Sequence, residues 1–327
     1  HGAANDECAL LCADGNLWRC TSTGKPVSRY WDGTKKQDEL FSKVKTLFVA
    51  SDVEAIRSSA YYWPQWTSGL GVANVNARNA ISLTLELSNV STVKFLLDES
   101  GANNCRIIDD GAFASMESLK NLMNFEKTKV TRIGEKAFLK TGIGKIAMPA
   151  TLRSIEKYAF SHCERLSALK YLNKTKVKRI GNYAFRNCLK LKTVIMPKTC
   201  SILGAGAFYG CSSLLKVTLG ASMETLGNNV FFNCSKLRSI SLPETCLTLG
   251  TSSFYGCSSL LSVAMNSKAM VTSSFKADAA ILAFKETPFD DKEGEARFYV
   301  PKSLLSKYRS SNLTSPWFGY RNQFSAL

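Results

Sequence analysis

The 327-residue sequence has little of what several classes of protein need. It contains two histidines, and its 26 acidic residues are outnumbered by 42 lysines and arginines. No apolar run approaches the ~18 residues of a membrane-spanning helix, so we expect no such span. It has no His-Glu-x-x-His pair, no phosphate-binding glycine motif and no nucleophile beside a recognisable base. These absences predict a protein that is not an enzyme and that uses no cofactor or metal.

The sequence instead repeats one short phrase seven times across residues 108–265. Two clear copies are Ile180-Gly-Asn-Tyr-Ala-Phe185-Arg-Asn-Cys188 and Leu226-Gly-Asn-Asn-Val-Phe231-Phe-Asn-Cys234. The anchoring phenylalanines follow one another at intervals of 25, 22, 25, 23, 23 and 23 residues. They are Phe113, Phe138, Phe160, Phe185, Phe208, Phe231 and Phe254. A fixed period in this range is typical of a solenoid, in which each unit buries its apolar edge against its neighbours.

Each copy ends in an alternating apolar stretch closed by proline, as in Leu191-Lys-Thr-Val194-Ile-Met196-Pro197. This period of two predicts a short, half-buried strand. The residue before each phenylalanine is nearly always alanine, which lets the turn run close to the next coil. We therefore expect each ring to stack on its equivalents above and below. The phrase Thr141-Gly142-Ile143 lacks one residue before the strand, which accounts for the interval of 22.

These units resemble the leucine-rich repeat family of the BspA type, whose units look like I-G-x-x-A-F-x-x-C-x-x-L-x-x-I-x-L-P. The resemblance covers approximately residues 44–300. It implies an α/β-type repeat solenoid: a right-handed superhelix with one short parallel strand per coil of ~23 residues, capped at both ends. It also implies an extracellular protein, secreted or displayed at a cell surface. For function it implies recognition or adhesion, because the repeat itself has no chemistry.

The repeat pattern divides the chain into three predicted parts. Residues 1–43 are expected to be a cysteine-containing N-terminal cap, residues 44–275 the solenoid and residues 276–327 a C-terminal cap. Regular repeats occupy residues 105–265, and a partial unit follows at residues 271–275. An irregular insertion at about residues 62–80 contains Trp63 and Trp66. These tryptophans either form a binding platform or pack over the edge of the solenoid.

The eleven cysteines fall into three groups. Cys163, Cys188, Cys211, Cys234 and Cys257 share one repeat slot, and Cys105, Cys200 and Cys246 share a second slot that is aliphatic in other copies. We expect both groups to be buried core residues, since buried cysteine behaves as a small hydrophobe. Cys8, Cys12 and Cys20 lie close together among turn signals. In a secreted protein two of these three are expected to form a disulfide; a three-ligand metal site is the alternative, for which no nearby histidine is present.

The net charge of +16 favours acidic partners such as anionic polysaccharides, membranes, nucleic acid or acidic proteins. Six of the seven repeat strands carry a cation in an outward slot, and no acidic residue occupies such a slot. The six candidate binding residues are Lys120, Lys145, Lys170, Lys192, Lys216 and Arg238. Parallel strands would spread them along one face roughly 25–30 Å long. This face either engages an anion or only keeps the sheet soluble. Nucleic acid is disfavoured because no aromatic residues are interleaved.

The repeats also contain one histidine, and the chain carries four glycosylation sequons. His162 falls in a turn slot that tolerates positive φ, so we predict a loop residue and not a ligand. Of four Asn-x-Ser/Thr sequons, Asn89, Asn173 and Asn312 are candidate glycosylation sites. Asn233 is disfavoured because Cys234 follows it in a packed turn.

These observations lead to two hypotheses for function. The first is a non-catalytic binding or adhesion protein that recognises a protein or an anionic polysaccharide at a cell surface or matrix. The second is a structural protein whose copies associate into a surface layer, fibre or extracellular matrix, because solenoid ends lend themselves to stacking.

Overall fold

A computed structural model of the chain describes residues 8–11, 17–29, 44–56, 89–267, 283–290, 294–309 and 318–327. The predicted insertion at about residues 62–80, the partial unit at residues 271–275, Cys12 and Asn312 lie outside the described residues. The predicted domain boundaries stay a prediction.

The described chain forms a parallel β-solenoid with two strands in each regular coil. One strand of three or four residues lies on the surface that we call the strand face, and a strand of two residues lies on the back sheet. The predicted leucine-rich-repeat solenoid is thus confirmed. The expectation of one strand per coil was incomplete, because the aliphatic pair before each glycine slot also joins a ladder, as Ile155 does with Ile133 and Ile180.

The strand face consists of two sheets that meet between β8 and β10. The first sheet has the order β3-β2-β1-β4-β6-β8. Its strands are β1 (Cys8–Leu11), β2 (Leu17–Cys20), β3 (Pro26–Arg29), β4 (Thr46–Val49), β6 (Thr92–Phe95) and β8 (Asn121–Met123). The second sheet has the order β10-β12-β14-β16-β18-β20-β21-β22. Its strands are β10 (Lys145–Ala147), β12 (Ala168–Lys170), β14 (Thr193–Ile195), β16 (Lys216–Thr218), β18 (Ser239–Leu242), β20 (Ser262–Met265), β21 (Arg297–Val300) and β22 (Phe324–Ala326).

The back sheet is one ladder of eight strands in the order β19-β17-β15-β13-β11-β9-β7-β5. These strands are β5 (Ala55–Ile56), β7 (Ile107–Ile108), β9 (Arg132–Ile133), β11 (Ser154–Ile155), β13 (Arg179–Ile180), β15 (Ile202–Leu203), β17 (Thr225–Leu226) and β19 (Thr248–Leu249). Each is short because an inward aliphatic residue is followed at once by the turn that carries the phenylalanine.

Turns connect most strands of the regular coils, and two of the connections contain a short 3₁₀ segment. The described helices are short: 3₁₀ segments at Phe125–Lys127, Leu172–Lys174, Lys302–Leu304 and Phe318–Gln323, and one α-helical turn at Leu305–Tyr308. The "α/β-type" description therefore applies to the family of repeats and not to the helix content of these coils.

The phenylalanines form the predicted column at the centre of the solenoid. Consecutive rings from Phe113 to Phe254 stack with centroids 5.0–5.7 Å apart and ring planes within 17° of parallel. Every ring in the column is fully buried. The small residue before each ring permits a close backbone bond between turns, such as Phe160 N–H to the Ala184 carbonyl at 2.7 Å. The column is the continuous core that the period predicted.

Strands added at both ends cover the solenoid. At the N-terminal end, β1 runs parallel to β4, and β2 and β3 continue the sheet in antiparallel fashion. At the C-terminal end, β21 and β22 extend the strand face in parallel. The ring column continues to Phe284, which stacks on Phe254 at 5.1 Å and meets Phe298 edge-on at 5.0 Å. The repeat spacing did not predict Phe284 as the next ring.

Candidate functional site

The strand face is the candidate functional surface, and its six predicted cations are all exposed. They share one face, but they do not all lie in one row, meaning a line of residues that pair in register across neighbouring strands. Lys145 pairs in register with Ala168, Ala168 with Thr193, and Thr193 with Lys216. Lys170 lies in another row, beside Ala147. Lys145 and Lys216 therefore lie in the same row but are separated by two strands that place uncharged residues, Ala168 and Thr193, in that row.

The row at the beginning of the strands alternates cations with exposed aliphatic side chains. The N–H of Leu215 donates to the carbonyl of Lys192 at 2.8 Å, and the N–H of Leu261 donates to that of Arg238 at 3.0 Å. Leu215 and Leu261 are 42% and 47% exposed. Ile195 lies farther along its strand, and its exposed fraction is similar, at 48%. The sequence predicted a basic face, whereas the structure shows a mixed basic and apolar surface.

A concave site, which we call the glycine hollow, lies near the middle of the face and is lined by two of the predicted cations. Its volume is about 320 Å³. It is lined by Lys120, Asn121, Gly142, Gly144, Lys145, Arg165 and Ser167. Arg165 was missed from the sequence because it precedes its strand and was not counted among the outward strand positions. Lys170, Lys192, Lys216 and Arg238 do not line the hollow.

A larger groove lies toward the C-terminal end of the same face, with a volume of about 870 Å³. Small hydroxyl-bearing side chains of three neighbouring strands form its floor, and Pro301 and Ser303 stand at its border. The floor includes Thr218, Ser239, Ser241 and Ser262. Lys216 is the predicted cation at this groove, and Glu244 also lines it. The sequence feature that could have indicated this groove is the change to small outward residues in the later strands, such as Ser239, Ser241 and Ser262.

The repeat cysteines are core residues, as predicted, and they also act as hydrogen-bond donors. Each thiol of the first column reaches the carbonyl of the phenylalanine one coil earlier, at 2.9–3.2 Å between sulfur and oxygen. A thiol at this slot fills space and satisfies a buried acceptor at once. The cysteines of the second column are likewise buried free thiols.

Burial also makes these thiols weak acids. It raises the pKa of Cys163 to about 11, although a hydrogen bond from Thr141 acts in the opposite direction. Burial raises the pKa of Cys257 to about 12 and lifts those of Cys188 and Cys234 well above the ordinary value. Thiolates are the form that binds metals and attacks disulfides, so these columns are poorly suited to either chemistry. Across the described residues, no cluster of His, Cys, Asp or Glu is arranged to hold a metal ion.

His162 occupies a turn with φ of 58°, as predicted. Its Nδ1 lies 2.9 Å from the hydroxyl of Ser161, and its Nε2 lies 3.1 Å from the amide nitrogen of Asn187. Burial lowers the pKa of His162, and the neighbouring cations Arg186 and Lys140 lower it further. Both ring nitrogens thus serve the packing of adjacent turns.

The remaining predicted residues lie away from the strand-face hollows. Cys8 and Cys20 are buried in the N-terminal sheet, and their predicted pairing with each other or with Cys12 stays a prediction. Asn89 and Asn173 are exposed, as a glycosylation site requires. In the Asn173 sequon, Thr175 is buried and its hydroxyl donates to the Leu172 carbonyl at 2.7 Å.

Comparison with protein families decides what these coils are. The profile of the BspA type leucine rich repeat region matches residues 96–193 and 172–279, in six copies, and so covers more than half of the chain. The chain belongs to the BspA-type leucine-rich-repeat family. Proteins of this family have interaction or surface roles and are generally non-catalytic. No helix among the described residues is both long and apolar enough to cross a membrane.

Three solved structures illustrate the likeness of this BspA-type chain to other repeat proteins. A leucine-rich cell surface protein from Faecalibacterium prausnitzii A2-165 is 20% identical, with 74% of this chain and 76% of that chain covered and a TM-score of 0.38. The T. pallidum leucine-rich-repeat protein is 20% identical, with 66% and 78% covered and a TM-score of 0.43. The pneumococcal vaccine antigen PcpA is 15% identical, with 95% and 82% covered and a TM-score of 0.39. A search of curated proteins gave no match.

Proposed function

We propose that this chain is a non-catalytic binding or adhesion protein, secreted or displayed at a cell surface, that recognises an anionic partner through its strand face. The observation that carries the proposal is the contrast between a sealed interior and an open, basic face. The interior is occupied by stacked rings and protonated thiols, which have no chemistry to offer. The strand face presents six exposed cations, and no acidic residue takes an outward strand position beside them.

The ion pairs of the described residues support this assignment. Those of Arg132 lie at the back sheet, where its guanidinium meets Asp109 at 3.0 Å and also bonds Asp110. None of the six strand-face cations has a carboxylate within ion-pairing distance in the described part of the chain. An anionic polysaccharide or an acidic protein surface would supply the missing charge. Association would then weaken with rising salt, because exposed charges are screened.

Heparin chromatography tests the proposal directly. The test variant changes Lys145, Lys170, Lys192 and Lys216 to glutamate. The control makes the same change in charge at the back sheet, by replacing Arg153, Lys176, Lys178 and Arg179, which are also exposed. We expect the strand-face variant to elute at much lower salt than the back-sheet variant. Equal elution of the two variants would show that net charge alone causes retention and would reject the strand face as the site.

Self-assembly, the second hypothesis from the sequence, stays a prediction. Light scattering at low and high salt measures it without any ligand, and the same samples serve the heparin experiment. A mass that grows with concentration would put assembly first, whereas a constant monomer mass would leave binding as the function.

A further inference from the structure

The glycine hollow lies where the loop between turn and strand is one residue shorter in one repeat unit than in its neighbours. Where the next coil has Cys163-Glu-Arg-Leu166, this coil has only Thr141-Gly-Ile143 between turn and strand. A Cβ on Gly142 would lie 2.3 Å from the Glu117 carbonyl oxygen, so glycine alone lets the chain draw in against the preceding coil. A Cβ on Gly144 would meet nothing within 4 Å. The shortened loop therefore leaves open space on the strand face.

The hollow also coincides with the division of the strand face. The two sheets meet between β8 and β10, and the hollow spans the beginnings of β8, β10 and β12. At this boundary the N–H of Gly144 reaches the Lys120 carbonyl at 3.3 Å, which is long for a backbone bond. On the other side, the Ser167 N–H donates to the Gly144 carbonyl at 2.8 Å. These backbone bonds hold the Gly144 loop between the two neighbouring coils at the floor of the hollow.

Three cationic residues border this space. Lys120, Lys145 and Arg165 line the hollow, and no carboxylate is among the lining residues. Arg165 has no ion pair within the described chain, whereas Arg132 at the back sheet is held by Asp109 and Asp110. A guanidinium and two ammonium groups around one concavity suit an oxyanion with several acceptor oxygens.

The size of the hollow restricts the occupant. About 320 Å³ is the lower end of the range for ligand sites, so the hollow accommodates a sulfate group together with part of the sugar that carries it, but not a length of polymer. No aromatic ring lines the hollow, which disfavours nucleic acid, because single strands are gripped by stacking as well as charge. The rest of a polysaccharide would continue along the face toward Lys170 and Lys192.

We propose that the glycine hollow, with Lys120, Lys145 and Arg165 around it, binds one sulfate group of a sulfated polysaccharide. This assignment rests on the proposed function, in that it locates the strongest anion contact of the strand face. The other cations of the face then serve as secondary contacts.

The test uses isothermal titration of the full chain with a heparin-derived hexasaccharide. One double variant, Lys145→Gln with Arg165→Gln, removes two charges from the hollow. The matched control, Lys192→Gln with Arg238→Gln, removes two charges from the same face outside it. We expect the hollow variant to weaken binding by about tenfold or more, as loss of charged hydrogen bonds implies, and the control by about twofold. Equal losses in both variants would overturn the hollow while leaving strand-face binding intact.

Gly144→Trp blocks the hollow without altering charge, and its circular dichroism and Tm report whether the fold is kept. We expect it to weaken hexasaccharide binding as much as the double variant does. If it does not fold, Gly144→Gln takes its place. A folded blocking variant that binds like the wild type would overturn the proposal.

Two further ligands identify the charged group. A desulfated hexasaccharide, which keeps its carboxylates, is expected to lose most of the affinity. Undiminished binding would reject sulfate. Tighter binding of an oligothymidylate of equal charge would reject a polysaccharide.

Inorganic sulfate at constant ionic strength separates the hollow from the wider function. Under the proposal, sulfate shifts the NMR amide signals of Gly144 and Ser167. If the wild-type chain is not retained on heparin but these shifts occur, the proposed function fails and the hollow stands as an anion site. If heparin retention and the NMR shifts are both absent, the proposed function and the anion site in the hollow are both overturned.

Discussion

The interior and the strand face belong to the same coils but follow opposite rules. Inside, one residue type recurs, and consecutive rings from Phe113 to Phe254 keep a separation of 5.0–5.7 Å. Outside, residue type varies from coil to coil, as in the row Lys145, Ala168, Thr193, Lys216. In a solenoid each inward residue packs on its own equivalents, so one unsuited ring would disturb two interfaces. Outward residues do not pack on their equivalents in this way, so their types can change without loss of the fold and can form a binding site on the strand face.

The largest expected effect comes from breaking the ring column at its middle. Phe185→Ala removes a ring that stacks on Phe160 at 5.2 Å and on Phe208 at 5.3 Å. We expect the free energy of unfolding to fall by about 3–5 kcal/mol, since a buried phenylalanine is replaced by a cavity. Urea unfolding followed by circular dichroism measures it. A loss below about 1 kcal/mol would contradict a column in which each ring supports two neighbours.

The next effect compares two glycines of one loop. Gly142→Ala places a Cβ 2.3 Å from a backbone oxygen, so we expect a loss of about 1–3 kcal/mol through overpacking. Gly144→Ala adds a methyl group to open space and should change the free energy of unfolding by less than about 0.5 kcal/mol. Equal losses of unfolding free energy in the same urea assay would contradict the view that Gly142 packs against the preceding coil while Gly144 faces open space.

A third prediction concerns alkaline pH. Burial raises the pKa of Cys257 to about 12 from an ordinary 9.0, so above pH 9.0 the unfolded thiol loses its proton while the folded thiol keeps it. The folded state then binds more protons, and its stability falls as pH rises from 9.0 to about 12. The loss is about 1.4 kcal/mol per pH unit for each such thiol. Below pH 9.0 this contribution is fully present.

The comparison of wild type with Cys257→Ala isolates that thiol. Whatever the variant loses near neutral pH, its stability should decline less steeply than that of the wild type above pH 9.0. Thermal unfolding at several pH values provides the two slopes. Parallel slopes would show that Cys257 does not titrate with a raised pKa.

The smallest effect on stability is expected at the strand face. Lys192→Ala removes an exposed side chain without an ion pair in the described chain, so the free energy of unfolding should change by less than about 0.5 kcal/mol. The same variant should elute earlier from heparin. A loss of stability comparable to that of Phe185→Ala would mean that the face is not independent of the interior.

Inward residues could be predicted from the sequence because the period itself reports them. The slots of Phe160 and Cys188 recur in register, and a residue that always returns to the same place must meet its own copies. Phe284 escaped this reasoning because 30 residues separate it from Phe254, outside the repeat interval. Its membership of the column is decided by stacking, which sequence spacing does not show.

The candidate site could be predicted only in part. Lys120 and Lys145 were identified as outward cations, but nothing in the repeat showed that Arg165 would join them around one hollow. The hydroxyl-lined groove near Ser239 and Ser262 was missed as well. Both depend on which outward side chains become neighbours across coils, and a change of one residue in loop length alters that relation.

The amino-acid sequence by itself determined the solenoid, its ring column, its buried thiols and the charge of one face. These features follow from local periodicity, because alternation along a strand fixes which side chains point inward. Only the tertiary structure decided the second strand of each coil, the row in which each cation lies and the presence of the glycine hollow. Those features arise from the registration of one coil on the next, which is set by loop length and close backbone packing rather than by any single unit.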